Sequence, residues 1–355
     1  MPLNAAFIRK LTIPAELKEQ YPVSAADREI IDTRVQAIRA LFSKEGSLER
    51  TNDSRFVLVI GPCSADREDA VLDYMDRLAR LQERVADKLF FIPRVYTTKP
   101  RTTGMGYKGL LHQPDPHAEA DVFKGVIAVR QLHMRVIHET GFVCADEMLY
   151  PSYVKYIDDL LGYAAVGARS VENQEHRLSA SAFDVPVGMK NPLSGNIESM
   201  VNAVIAASHA HEFMYRGWET HSYGNPFAHC VLRGYSDAQG NMHANCSSDD
   251  LLRLNECYQQ KIAKGENLVP LAVVDVNHAN SGRNPLVQID NALDVLKSRA
   301  AHPEIAAMVR GLMIESYLEE GCQTEEGSAY GKSITDPCLG WENTERLVLQ
   351  LADLL

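Results

Sequence analysis

Eight short apolar runs, set apart by amphipathic stretches, constrain this chain more than any other feature of its sequence. They are RFVLVIG (55–61), KLFFIPRVY (88–96), GFVCADE (141–147), YAAVGARS (163–170), VPVGMK (185–190), AHCVLRG (228–234), VPLAVVDV (269–276) and GLMIES (311–316). Runs that are apolar nearly throughout read as strands covered on both faces, which requires a parallel sheet with helices packed against it. The helices are legible too. Val71, Leu72, Met75, Leu78 and Leu81 form one helical stripe, and Val122, Val126, Val129 and Val136 form a second. Ile197, Val201 and Val204 make a third, and Leu286, Ile289, Leu293 and Leu296 a fourth. Strands alternating with helices over roughly 290 residues predict an α/β fold, a single (β/α)8 barrel of the TIM type over residues 55–355.

Residues 1–54 read as a helical extension with an oligomerisation or regulatory role. A helix starts at Ser24 to Asp27 and carries Ile31, Val35, Ile38 and Phe42 on one apolar face, which calls for a neighbouring domain or subunit. Two connections are longer than a plain βα unit needs. The stretch 97–121 holds KPRTTGMGYKG, a candidate site cover, and 209–227 holds EFMYRGWETHSYGNPF, a candidate extra hairpin.

With 36 Lys and Arg against 47 Asp and Glu, the net charge is −11. Polyanions are held by clustered positive charge, so neither nucleic acid nor an anionic membrane surface is an expected partner. No run reaches the ~20 apolar residues of a membrane span, and the start MPLNAAFIRK lacks a signal-peptide core, so a cytoplasmic protein is expected. The seven cysteines are odd in number and never spaced C-x-x-C, which argues against a disulfide framework or a zinc ribbon.

Barrel active sites are built at the C-terminal ends of the strands. Those ends carry, in order, Cys63, Arg94, Glu147, Arg169, Lys190, Arg233, His278 and Glu315. Lys99, Arg101 and Lys108 follow the second strand, so an acidic chain gathers cations at one rim and should take a ligand with several negative charges. Cys63, His278, Glu315 and, from the C-terminal segment, Asp336 offer thiolate, imidazole and carboxylate donors, a mixed set suited to Mn²⁺, Fe²⁺, Co²⁺ or Zn²⁺.

The strings IGPCS (60–64), RVYTTKPRTT (94–103), GYKG (106–109), GARSVENQEHR (167–177), PVGMKN (186–191), LRG (232–234), DVNHANS (275–281), ESYLEEG (315–321) and AYGKSITDPCLGWE (329–342) follow one another along the chain. In that order they resemble the signature segments of the class I 3-deoxy-D-arabino-heptulosonate 7-phosphate (DAHP) synthases. The resemblance implies a transferase of the aromatic amino acid pathway that condenses phosphoenolpyruvate with erythrose 4-phosphate, working as a homodimer or homotetramer. It implies that Cys63, His278, Glu315 and Asp336 are the ligands of a divalent metal. Arg94 and Lys190 would hold the phosphoenolpyruvate carboxylate, and Lys108, Arg169 and Arg233 its phosphate. Lys99, Pro100, Arg101 and Thr102 would form the aldehyde subsite, with Arg101 on its phosphate. Lys190 is the candidate for proton transfer at the nascent alkoxide, beside Glu147, Cys63 and His278 as further catalytic groups.

Some positions depart from the family. Thr97 and Thr98 replace its usual phenylalanine-glutamate pair, Tyr317 its usual histidine, and CADEMLYPSY around Glu147 is spaced differently. Asp184 stands where a small serine commonly lines the aromatic effector pocket. These changes keep open a paralogue of secondary metabolism taking a modified aldehyde. The residues also admit a related synthase acting on arabinose 5-phosphate or a mannosamine, and a non-catalytic barrel that binds metabolites.

Overall fold

The computed structural model describes residues 4–43 and 53–355; residues 1–3 and 44–52 of the expected extension lie outside them. All eight expected strands form: β1 (Phe56–Gly61), β2 (Leu89–Pro93), β3 (Cys144–Glu147), β4 (Leu161–Val166), β5 (Val187–Lys190), β6 (His229–Leu232), β7 (Ala272–Asp275) and β8 (Val309–Glu315). They pair in parallel in the order β2-β1-β8-β7-β6-β5-β4-β3. The seam between β2 and β3 closes just beyond the end of β2, where Arg94 bridges to Ala145 and the Val95 N–H donates to the Ala145 carbonyl at 3.0 Å. The result is a (β/α)8 barrel.

Alternation along the strands sorts the side chains into two cores. Val57 and Val59 of β1 point into the barrel with Phe90, Ile92, Tyr163, Val231, Val273 and Met313. Phe56, Leu58 and Ile60 point outward to the helices, where Val71, Met75 and Leu78 of the helix Glu68–Val85 meet them. Leu286 does not join its stripe. It precedes the helix Val287–Ala301 and is 46% exposed, because the turn before a helix no longer follows helical periodicity.

After β3 only the four-residue helix Pro151–Val154 covers the sheet. The gap is filled by the extension: the helix Ala25–Leu41, capped by Ser24 Oγ on the Asp27 N–H at 3.0 Å, packs against β4. Glycine at 162 permits the approach, since a Cβ there would lie 2.6 Å from Ile38 Cδ1. Just past this helix, Phe42 enters the N-terminal end of the barrel and stacks on His229 with ring centres 4.4 Å apart. His229 bonds the Tyr163 hydroxyl at 2.8 Å and the Phe227 carbonyl at 2.9 Å, and burial holds its pKa down to about 4, so the ring is neutral. The apolar face read from the sequence therefore meets the barrel itself.

The expected hairpin is present as strands His211–Tyr215 and Trp218–Ser222. Arg216 and Gly217 both have positive φ, 54° and 81°, the signature of a two-residue type I′ turn. Among the described residues no helix is long and apolar enough to cross a membrane.

Candidate active site

Each strand releases its chain into the same mouth, and there a cavity of about 290 Å³ opens. Six lysines and arginines (Lys99, Arg101, Arg169, Lys190, Arg233, Arg283) line it against two carboxylates, Glu147 and Asp336. Low-dielectric walls focus that excess of positive charge, so the cavity suits a polyanionic small molecule even though the chain as a whole is acidic.

At the cavity floor lies a cluster whose Cys63 and Glu315 are buried and whose Asp336 is partly exposed. One ligand atom each from Cys63, Glu315 and Asp336 falls within 4.8 Å of the other two. Two carboxylates packed this close to each other and to a thiol call for positive charge, and it is supplied by Lys99, whose Nζ is 2.7 Å from Cys63 Sγ and 2.8 Å from Asp336 Oδ2. Burial, with Glu315 adding to it, pushes the Cys63 thiol up to about 12. Burial works against the Lys99 charge, but Cys63, Asp336 and Glu315 outweigh it and raise the ammonium's pKa; Lys99 in turn is the main cause of Asp336 lying below the usual carboxylate range. A divalent cation fits this thiol and carboxylate set and would satisfy its charge. His278 stands at the edge of the cluster, with Nε2 3.5 Å from Glu315 Oε1. Its backbone takes φ +50°, unusual outside glycine, and its Nδ1 lies 2.8 Å from Asp275 Oδ2 but poorly aligned for a hydrogen bond.

Arg94 is fully buried below the cavity, bonded by Nη2 to Glu315 Oε1 at 2.9 Å and stacked over Tyr96 at 4.1 Å. Its Nε and Nη1 have no hydrogen-bond partner among the described residues, and buried donors of this kind call for an acceptor. Lys190 Nζ stands 3.8 Å from Asp275 and 4.0 Å from Glu147. Its close charged neighbours are thus carboxylates, with the Tyr96 ring 5.6 Å away. Gly167 makes room for Glu147, since a Cβ there would be 2.0 Å from Glu147 Oε1.

The loop after β2 forms one wall through Lys99, Pro100, Arg101 and Thr102. Arg101 donates Nε to the Tyr107 carbonyl at 2.8 Å and faces Glu325 at 3.4 Å, while Arg169, across the mouth, grips Thr102 Oγ1 with Nε at 3.0 Å and Nη2 at 2.7 Å. Arg233 is nearly buried, and burial, with Arg169 nearby, lowers its pKa. Lys108 is exposed and not brought to the cavity; its carbonyl accepts the Lys99 N–H instead.

Four residues of this region give no clear signal in the sequence. Asp275 is fully buried between Lys190 and His278, Asn277 bonds Glu315 Oε2 at 2.6 Å, Arg283 lines the cavity, and Tyr96 underlies both Arg94 and Lys190. Asp275 ends β7, and placing that strand's end three residues before His278 would have found it.

Known proteins match the chain over nearly its whole length. The model of the DAHP synthetase I family matches residues 36–349. The Trp-sensitive phospho-2-dehydro-3-deoxyheptonate aldolase of Enterobacter agglomerans is 37% identical over 99% of this chain and 97% of its own. The Phe-sensitive enzyme of that name from Escherichia coli is 34% identical over 98% and 95%. The solved phospho-2-dehydro-3-deoxyheptonate aldolase of Francisella tularensis superposes with a TM-score of 0.86 at 28% identity, covering 99% of this chain and 98% of that one. With a matching model across the barrel and relatives this similar end to end, the chain belongs to the DAHP synthetase I family.

Proposed function

We propose that the chain is a 3-deoxy-7-phosphoheptulonate synthase, a transferase that joins phosphoenolpyruvate to erythrose 4-phosphate with water and releases phosphate. The observation that carries this reading is one cavity lined by six cations that meets the Cys63, Glu315 and Asp336 cluster through Lys99 and Asp336. Two phosphorylated substrates need several forks and ammonium groups in one cavity, and a chain with net charge −11 gathers them here.

Arg94, with its unpartnered donors, and Lys190 receive the phosphoenolpyruvate carboxylate; Arg169 and Arg233 receive its phosphate. Lys99, Pro100, Arg101 and Thr102 seat the aldehyde, with Arg101 on the terminal phosphate. Cys63, Glu315 and Asp336, joined by His278 from the edge, would hold Mn²⁺, Fe²⁺, Co²⁺ or Zn²⁺. Such an ion polarises a carbonyl as a Lewis acid. C3 of phosphoenolpyruvate attacks the aldehyde carbon, water adds at C2, and phosphate leaves with cleavage of the C–O bond. Lys190, between Glu147 and Asp275, transfers a proton at the oxygen that was the aldehyde carbonyl. The cations of the cavity fix the approach of the two reacting carbons.

Phosphate release should be measured with phosphoenolpyruvate and a panel of four- and five-carbon aldehydes, with identification of the products. Turnover with erythrose 4-phosphate and not with arabinose 5-phosphate supports the reading. The opposite preference replaces it with the related synthase, and silence on every aldehyde leaves a binding barrel.

A further inference from the structure

The two threonines that replace the family's usual pair before Lys99 have a partner on the neighbouring strand. Asp146 belongs to β3, one residue before Glu147, and strand alternation sends the two carboxylates to opposite faces of the sheet. Glu147 lines the cavity. Asp146 points away from it, toward the helix layer, and is only 2% exposed.

Its two oxygens accept from four donors. They are the Thr97 N–H at 2.9 Å, the Thr97 hydroxyl at 2.5 Å, the Tyr153 hydroxyl at 3.1 Å and the Glu147 N–H at 2.7 Å. Thr98 adds a parallel link, donating its hydroxyl to the Glu147 carbonyl at 2.9 Å. Behind them His133, fully buried on the helix Val122–Thr140, places Nε2 3.7 Å from Asp146, with no hydrogen bond to either ring nitrogen. No lysine or arginine pairs with Asp146 among the described residues, so hydrogen bonds carry most of the carboxylate's stabilisation.

A buried carboxylate accepting four bonds is a rigid joint, because losing one bond exposes the rest of the charge to an apolar layer. This joint ties the residue two positions before Lys99 to the residue next to Glu147. We propose that Asp146 is a positioning residue for the condensation: through Thr97 it fixes the root of the Lys99–Thr102 loop against Glu147, and so sets where the aldehyde lies relative to phosphoenolpyruvate. Asp146 touches neither substrate. Its effect should fall on the substrate held by the loop, and this rests on the reading of that loop as the aldehyde subsite.

The test is steady-state kinetics on full-length enzyme with each substrate varied in turn. In Asp146→Asn the amide oxygen can keep the Thr97 and Glu147 N–H groups, but the charge is lost and the Thr97 and Tyr153 hydroxyls must turn from donors to acceptors, which loosens the joint. KM for erythrose 4-phosphate should rise on the order of tenfold with a fall in kcat, while KM for phosphoenolpyruvate stays within about twofold. Thr97→Val removes the hydroxyl that meets both Asp146 and Tyr153 but keeps the Thr97 N–H bond, and should shift the same parameters by less; the double variant should be no worse than Asp146→Asn alone, as members of one joint are not additive. Arg101→Ala serves as the control for the loop. If it raises the aldehyde KM while Asp146→Asn and Thr97→Val change nothing, the positioning role is wrong and the proposed function stands. If it leaves the aldehyde KM untouched, the subsite reading fails and this inference fails with it. Equal rises in both KM values, tracking a fall in thermal stability, reduce Asp146 to a structural residue. Should Asp146→Asn not fold, Thr97→Val decides alone by the same split.

Discussion

The two ends of the barrel are built from the same eight strands and differ in almost everything else. At the N-terminal end Phe42, His229 and Tyr163 stack in a dry layer whose imidazole is kept neutral. At the C-terminal end Arg94, Lys99, Lys190, Glu315 and Asp336 sit in or beside the cavity floor with their charges, each held by an opposite one. The difference shows where a protein of this shape concentrates apolar burial and where it tolerates electrostatic tension. One end should govern stability and the other turnover.

The strongest way to break this division is at the cluster. Cys63→Ser should lower turnover on the order of 10³-fold or more by weakening the hold on a divalent ion, while the protein stays folded. Removing metal with a chelator should reproduce the loss, lower the unfolding temperature of the wild type and have little effect on the variant. Full activity in a metal-free Cys63→Ser protein would end the ligand assignment.

Phe42→Ala is the mirror experiment. Emptying the ring stack should cost roughly 3–5 kcal/mol in denaturant unfolding. Below its unfolding transition the variant should keep kcat within about twofold, and a large kcat defect would mean the two ends are coupled.

Acid sharpens the contrast further. His229 has a folded pKa of about 4, below the ~6.5 of an unfolded histidine. Its contribution to stability is complete above pH 6.5 and fades as pH falls through 4, a loss of about 3 kcal/mol from a shift of roughly 2.5 units. Unfolding followed between pH 7 and 4 should show this slope in the wild type and a shallower one in His229→Asn.

Within the C-terminal end, burial should rank the phosphate arginines. Arg233 is 8% exposed and Arg169 is more open to solvent, so Arg233→Ala should raise KM for phosphoenolpyruvate by roughly 2–3 kcal/mol and Arg169→Ala by less. Both should leave the aldehyde KM nearly unchanged. The smallest effect concerns the cavity beside the hairpin, lined by Phe183, Asp184, Phe213 and Tyr215. Asp184 is largely exposed and pairs with Arg39 at 3.3 Å, so it would meet the carboxylate of an amino acid entering this cavity with its own charge. Phenylalanine and tyrosine should inhibit by less than about twofold, and Asp184→Ser should strengthen inhibition by an amount consistent with a surface pair, up to about 1 kcal/mol.

The strands, their order of use and most of the cavity wall were legible in the sequence because apolar runs and strand-end charges are local signals. Of the four expected metal ligands, Cys63, Glu315 and Asp336 come together, although 273 positions separate the first from the last, while His278 stops at the edge of the cluster. What stayed hidden depends on faces and neighbours. That Asp146 and Glu147 diverge follows only once β3 has a register, and that the helix Ala25–Leu41 substitutes for a missing outer helix follows only once Pro151–Val154 proves to be a single turn. Lys108 sits in a recognisable motif, yet loop geometry turns its side chain outward.

The seam between β2 and β3 has a consequence for motion. Seven neighbouring strand pairs are joined by ladders, whereas this junction is fastened by the Arg94 and Ala145 bridge and then by the Thr97 N–H on Asp146 and the Thr98 hydroxyl on the Glu147 carbonyl. A hoop opens first at its clasp. Here the Asp146 joint does what a ladder does elsewhere, so amide hydrogen exchange at 95–98 and 145–147 should stay slow in the wild type and outpace the other strands only when Asp146→Asn loosens it and a slit opens. Because the slit lies beside Glu147 and the root of the loop, the same few bonds that close the cylinder also set the width of its mouth.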